Sequence, residues 1–249
     1  MALLELNGLT KRYGGIVAVD HVTTQVQSGE VRAVIGPNGA GKTSLFHLIT
    51  GVVKATEGTV RFESEDVTAL PAHARCQRGM SRTFQLTSLF PEMSARENAR
   101  LAAQATDRKR WLPLGGGAVF GGASHRGDAA LERLGLTHVA ARPAGLLSHG
   151  DQRLLEVAMA LAQNPKLLLL DEPTQGLSVE ETAQAVEVLS ALFSAGDLTV
   201  LLVEHDMEVV FRLAHKITVL HRGAVIADGD PDTVKADQGV QSAYLGGFD

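Results

Sequence analysis

Eight consecutive residues, Gly36-Pro37-Asn38-Gly39-Ala40-Gly41-Lys42-Thr43, put three glycines ahead of a lysine and a hydroxyl. Glycines let a backbone curl so that successive N–H groups converge on one anion. A lysine at the end of such a curl adds a full positive charge, and the hydroxyl next to it suits a divalent cation. Val31-Arg32-Ala33-Val34-Ile35 reads as a strand directly before the motif, and a helical stretch opens near Gly41. A helix N-terminus contributes further partial positive charge. Gly36 to Thr43, with Ser44 following, is therefore expected to cradle the phosphates of a nucleoside triphosphate, with Lys42 on the β- and γ-phosphates and Thr43 on Mg²⁺.

A second constellation ends the apolar run Leu167-Leu168-Leu169-Leu170, where Asp171 and Glu172 follow in succession. The first acid is placed to hold Mg²⁺ through water. The second, just past the strand end, is placed to polarise an attacking water as a general base or by orienting it. Such a group typically contributes about 10²–10⁴-fold to rate. The two motifs together define a P-loop NTPase and no more.

Further motifs narrow this. Leu147-Ser148-His149-Gly150-Asp151-Gln152-Arg153 lies upstream of the acidic strand; Tyr13 precedes the cradle; Gln85 sits in Arg82-Thr83-Phe84-Gln85; His205 sits in Val203-Glu204-His205-Asp206. In this order and over essentially the whole chain, the set resembles the ATP-binding-cassette (ABC) ATPases. The resemblance implies that Tyr13 stacks on adenine, and that Gln85 completes the Mg²⁺ or water shell and reports nucleotide state. It implies that His205 bonds the γ-phosphate and keeps Glu172 and water aligned. Ser148, His149, Gly150 and Asp151 would form the signature, a helix N-terminus that meets the ATP held by a second cassette. Two ATP molecules are then sandwiched between two domains arranged head to tail.

The chain departs from the family pattern in the signature, where Asp151 replaces the usual glutamine and His149 a glycine. It departs again at Gln175-Gly176-Leu177-Ser178, which stands where Ser-Ala-Leu-Asp is frequent. Lys42, Asp171 and Glu172 are untouched, so hydrolysis is expected. Asp151 is expected to turn away from triphosphate or to serve only the helix dipole.

The elements that must position these residues follow the alternation of an α/β chain. Lys166 to Leu170 and Thr199 to Val203 read as strands buried on both faces. His21 to Val26 alternates and suggests an antiparallel β flank on a mainly parallel core. Capping boxes at Ser94-Ala95-Arg96-Glu97 and Ser178-Val179-Glu180-Glu181 mark helix starts. Ser148 is expected to cap a helix from about Gly150 to Gln163. Trp111 to Gly127 is Gly-rich and aperiodic and reads as a loop. The expected division is a P-loop core with β flank over 1–85 and 164–249, enclosing a helical signature subdomain over 86–163.

Composition fits this reading. The 249 residues carry 23 Lys+Arg and 28 Asp+Glu, a net charge of −5, with 45% hydrophobic and 20% charged residues. These values exclude a disordered or collagen-like chain. The balance also argues against wholesale wrapping of nucleic acid. No apolar run reaches the length of a membrane span, and the first residues lack the features of a secretory signal. The single cysteine, Cys76, forms no internal disulfide, which suits a reducing cytoplasm.

One cradle and one signature per chain imply a half-site protein that forms a homodimer or heterodimer with a second cassette. Transport would require two separate transmembrane permease subunits that hold the chain peripherally at the cytoplasmic face of the inner membrane, with an external binding protein acting indirectly. Arg82-Thr83-Phe84-Gln85 followed by Leu89-Phe90, Glu204-His205-Asp206-Met207, Gly229-Asp230-Pro231-Asp232 and Ala243-Tyr244-Leu245-Gly246 resemble the importer branch for branched-chain or other hydrophobic amino acids, or urea and amides. The Leu-Ser-His-Gly variant inclines towards urea or amides. The alternatives are a lipid or lipopolysaccharide exporter and a soluble, non-transport ABC ATPase. The latter usually carries a coiled-coil insertion or two cassettes per chain.

Overall fold

In the computed structural model, which describes residues 2–83, 89–106 and 116–245, the alternating run around His21 lies inside a twelve-residue strand. The chain divides into two units, Met1–Arg78 with Gly196–Asp249, and Gly79–Ala195.

The first unit carries two sheets. Strands β1 (Ala2–Tyr13), β2 (Ile16–Gln27), β4 (Glu57–Phe62) and β5 (Glu65–Asp66) form an antiparallel sheet in the order β2-β1-β4-β5. This is the expected β flank. In the second sheet, β3 (Val31–Ile35) runs parallel to both β8 (Thr199–Val203) and β9 (Lys216–His221). An antiparallel strand, β10 (Ala224–Gly229), pairs with β9. Every residue of β3 and β8 is buried, which explains why both are apolar apart from Arg32 and Thr199.

Helix α1 (Lys42–Thr50) leaves β3 through the Gly-rich turn, and the short α2 (Ala72–Cys76) follows β5. Helices α7 (Met207–Leu213), α8 (Pro231–Ala236) and α9 (Gln238–Leu245) complete this unit. One face of β3 and β9 packs through Ala33, Ile35, Ile217 and Val219 onto Val210, Val234 and Val240.

The second unit holds the parallel pair β6 (Met80–Arg82) and β7 (Leu167–Asp171). Its helices are α3 (Ala95–Ala105), α4 (Gly116–Arg133), α5 (His149–Ala162) and α6 (Val179–Ser194). Both capping boxes form: Ser94 with Glu97 opens α3, and Ser178 with Glu181 opens α6. This unit is wider than the helical segment 86–163, because β6, β7 and α6 belong to it.

One expectation is overturned. Residues 116–127, read as loop from their glycines, are helical within α4. Burial is the physical reason. Ala123, Ala130, Leu131 and Leu134 are all buried, and Gly127 shares their helical spacing. A Cβ on Gly127 would lie 3.0 Å from the backbone nitrogen of Arg100, so glycine is what lets α4 approach α3 this closely. Arg126 donates to the Ala103 carbonyl at 2.9 Å, and Arg96 pairs with Asp128 at 2.7 Å. Packing of this face outweighs the low helix propensity of glycine. Trp111 and the rest of 107–115 lie outside the described residues.

Candidate functional site

The cradle begins where β3 ends. Gly36 has φ 152° and Gly41 φ 103°, conformations that side chains rarely adopt. At each of them an added Cβ would also collide with a backbone carbonyl oxygen, that of Leu220 at Gly36 and that of Ala18 at Gly41. The two glycines are therefore fixed by both dihedral and space. Gly41 is the N-cap of α1 and offers no side chain there, so the head of α1 is free of a side-chain cap. Lys42 folds back over the loop, donating to the carbonyl oxygens of Gly36 at 2.6 Å and Pro37 at 3.2 Å. Thr43 is exposed and Ser44 half-buried. The loop Gly36 to Thr43 thus has the curl, the cation and the helix N-terminus that phosphate binding requires.

The far end of α1 is tied down by a residue that sequence reasoning left aside. Arg75 Nη1 donates to the Leu48 and Ile49 carbonyls at 2.7 Å each, and its other nitrogens reach the carbonyls of Leu70 and Thr68. These bonds satisfy carbonyls that a helix C-terminus otherwise leaves orphaned. Burial pushes this guanidinium down to about 10. No local motif announces it, because its partners on α1 lie 26 and 27 residues away.

Within the same unit, the parallel register of β3 and β8 pairs Val34 with Val203. Both strands therefore run out at the same sheet edge, and Gly36 and His205 follow from that edge. Ligands of open α/β sheets bind outside the carboxyl ends of the strands. His205 is 59% exposed, and its backbone N–H donates to the buried Glu204 carboxylate at 3.2 Å. Asp206, next along, caps α7 by accepting from Glu208 and Val209. Tyr13 ends β1 with 46% exposure, and the Lys11 ammonium stands 4.9 Å from its ring centre. An exposed ring of this kind is available for stacking.

In the second unit, β7 delivers Asp171 to its carboxyl end with the side chain fully buried. Oδ2 accepts from Arg82 Nη2 at 2.6 Å, while Oδ1 is buried without a hydrogen-bond partner among the described residues. A buried carboxylate oxygen left in this state is an acceptor that a metal-bound water would satisfy. The residues present thus fit Mg²⁺ held through water and nucleotide rather than by a protein cage. Glu172 is half-buried and has φ 51°, a left-handed backbone that costs a non-glycine residue on the order of 1 kcal/mol or more. Strain of this kind concentrates at functional positions, and here it falls on the residue expected to handle the attacking water.

The signature helix begins as expected. Ser148 caps α5, accepting from the Asp151 N–H at 3.1 Å, and Asp151 places its charge in the first turn, where the helix dipole favours it. Ser148 and His149 are exposed, whereas Gly150 is buried. The Gly150 N–H donates to Glu181 Oε1 at 3.2 Å, a partner that sequence reasoning saw only as a capping-box acid. Backbone N–H groups of Ser178 and then Gly150 hold the Glu181 carboxyl below the usual carboxylate range. A space of about 270 Å³ opens beside this helix end, lined by His149, Gln152, Arg153, Gln175, Gly176 and Leu177. Gln85 lies outside the described residues. Among the described residues no helix is long and apolar enough to cross a membrane.

Comparison with known proteins adds to this geometry. The family model described as "ABC transporter" matches residues 19–175, and one described as "Branched-chain amino acid ATP-binding cassette transporter" matches residues 224–249. The chain is 39% identical to the high-affinity branched-chain amino acid transport ATP-binding protein BraF of Pseudomonas aeruginosa, covering 98% of each. It is 38% identical to the corresponding protein LivG of Escherichia coli, again over 98% of each. Among solved structures, the ADP conformation of an ATP-binding cassette of an ABC transporter superposes with a TM-score of 0.84 at 32% identity, covering 99% of both chains. A dimeric, post-hydrolysis cassette bound to ADP and Pi gives a TM-score of 0.75 at 26% identity, over 92% of this chain and 98% of that one.

Proposed function

This chain belongs to the ABC transporter family of ATP-binding cassettes, and from that membership we propose that it powers the import of branched-chain or related hydrophobic amino acids. The chain binds ATP and is an ATPase of that family. The observation that carries the cargo class is the match of residues 224–249 to the branched-chain amino acid cassette model, alongside near full-length similarity to BraF and LivG. It favours amino acids over the urea or amide cargo that the Leu-Ser-His-Gly variant suggested.

In the proposed cycle, two copies, or this chain and a second cassette, close head to tail on two ATP molecules. The dimeric post-hydrolysis cassette of similar fold supports the pairing of two cassettes. The cradle Gly36 to Ser44 holds the phosphates through backbone N–H groups and Lys42, and Tyr13 stacks on adenine. Ser148, His149, Gly150 and Asp151 present the head of α5 to the partner's ATP. Thr43, Gln85 and, through water, Asp171 would hold Mg²⁺, which neutralises charge on the β- and γ-phosphates. Glu172 polarises water for attack on the γ-phosphate, and His205 orients both. Electrostatic stabilisation by the preorganised cradle supplies the larger share of the rate, with general base catalysis adding to it.

Closure is useful only if ATP binds the closed pair better than the open one. Gln85 and the helical segment 86–163 would relay it from the core of 1–85 and 164–249 to two membrane permeases at the cytoplasmic face of the inner membrane. Reconstitution with its permeases and binding protein in vesicles tests the cargo. Leucine, isoleucine or valine outside is expected to stimulate ATP hydrolysis. Stimulation by urea alone contradicts the amino acid assignment.

A further inference from the structure

Among the described residues of the second unit, one deeply buried ion pair joins Asp171 to Arg82, a residue with no role in the cycle described above. Arg82 Nη2 donates to Asp171 Oδ2 at 2.6 Å, and the two side chains are 7% and 0% exposed. Register explains the meeting: Arg82 pairs with Leu169 across the β6–β7 ladder, so the end of β6 lies beside the last residues of β7. Thr83 strengthens the attachment. Its Oγ1 accepts the Asp171 N–H at 3.2 Å, and its own N–H donates to the Leu169 carbonyl at 3.0 Å. Consecutive residues of one segment thus grip Asp171 by its side chain and by its backbone.

The grip is one-sided. A guanidinium commonly takes a carboxylate with two parallel bonds. Here the Arg82 hydrogen bond goes to Oδ2, and Oδ1 is buried with no hydrogen-bond partner among the described residues. A pair serving stability alone gains from satisfying both oxygens, because an unmet buried acceptor is costly. The arrangement suits a carboxylate whose second oxygen is reserved for another ligand.

We propose that Arg82 is a positioning residue for the divalent cation: by holding Oδ2 it fixes the Asp171 carboxylate with Oδ1 directed to metal-bound water. This inference rests on the reading of Asp171 as a Mg²⁺-water ligand. Outer-shell partners of this type typically change metal affinity by about 10–100-fold when removed.

Three substitutions in the full-length chain, each in a Glu172→Gln background that stops turnover, provide the test. The readout is Mn²⁺ affinity of the ATP-saturated protein, taken from loss of the free-ion EPR signal, with ATP affinity measured separately in EDTA. Arg82→Met is expected to weaken Mn²⁺ binding by about 10–100-fold and to leave metal-free ATP affinity within about twofold. Arg82→Lys, which keeps the charge but not the planar fork, is expected to fall between and serves if the methionine variant does not fold. Asp171→Asn is the reference. Mn²⁺ affinity unchanged in both Arg82 variants but weakened in Asp171→Asn overturns the positioning role alone. Unchanged affinity in Asp171→Asn overturns the ligand assignment and this inference with it.

Discussion

The backbone N–H of Gly150 donates to Oε1 of Glu181 at 3.2 Å, so the amide at the head of the signature helix already holds an anion from its own chain. The other carboxylate oxygen accepts the Ser178 N–H at 3.0 Å, which makes a single side chain the cap of α6 and the partner of α5.

This double use predicts a pH response. Ser178's N–H, then Gly150's, keeps the Glu181 carboxyl below its ordinary range, so the ionised form favours the folded state. A depressed pKa contributes stability that is present above the unfolded value, about 4.3 for glutamate, and is lost as pH falls through the folded value. Urea midpoints measured at pH 6 and pH 3 should therefore fall further for the wild type than for Glu181→Gln. Equal falls contradict the coupling.

At the cradle, Lys42 donates to the carbonyls of Gly36 and Pro37, which keeps the ammonium over the loop proposed to hold phosphate. Charge-assisted bonds of this class contribute about 1.5–3 kcal/mol, so Lys42→Ala should weaken ATP binding by roughly 10–150-fold in calorimetric titration. Glu172→Gln should behave oppositely. ATP affinity is expected to persist while hydrolysis falls by about 10²–10⁴-fold. Normal turnover in that variant removes Glu172 from its role.

The contact between α3 and α4 makes a stability prediction. Alanine at 127 needs its neighbours to give by a few tenths of an ångström, since its Cβ would lie 3.0 Å from Arg100 N and 3.2 Å from the Ala99 carbonyl carbon. Valine at 127 adds bulk that the facing backbone does not admit, and overpacking of that kind costs about 1–3 kcal/mol. Denaturant unfolding should show Gly127→Val well below Gly127→Ala in stability. Similar stability in the two variants would mean that α4 does not depend on this approach.

What the sequence disclosed was whatever its local code carries. Val31 to Ile35 announced itself as a strand and Thr199 to Val203 as a buried one, and the two capping boxes and the Ser148 cap depend on residues only three positions apart. The cradle was legible for the same reason, since its glycines, lysine and hydroxyl act as one contiguous turn. Tertiary packing hid the rest. Glycines in 116–127 signal a loop locally, and only the α3 backbone facing Gly127 makes helix the better state. Arg82 stands three residues before Gln85, yet its partner Asp171 is 89 residues away, and Glu181 is 31 residues from Gly150. Nothing in the spacing of single residues reveals a contact that a sheet register or a helix docking creates.

The central claim is that ATP is hydrolysed only when the cradle of one chain meets the signature of another. Specific ATPase activity of the purified wild type, followed over a dilution series at saturating Mg-ATP, is the direct measurement. Activity per molecule is expected to rise with protein concentration and to level off as dimers form in sedimentation. Full activity per molecule at dilutions where only monomer sediments would contradict the claim.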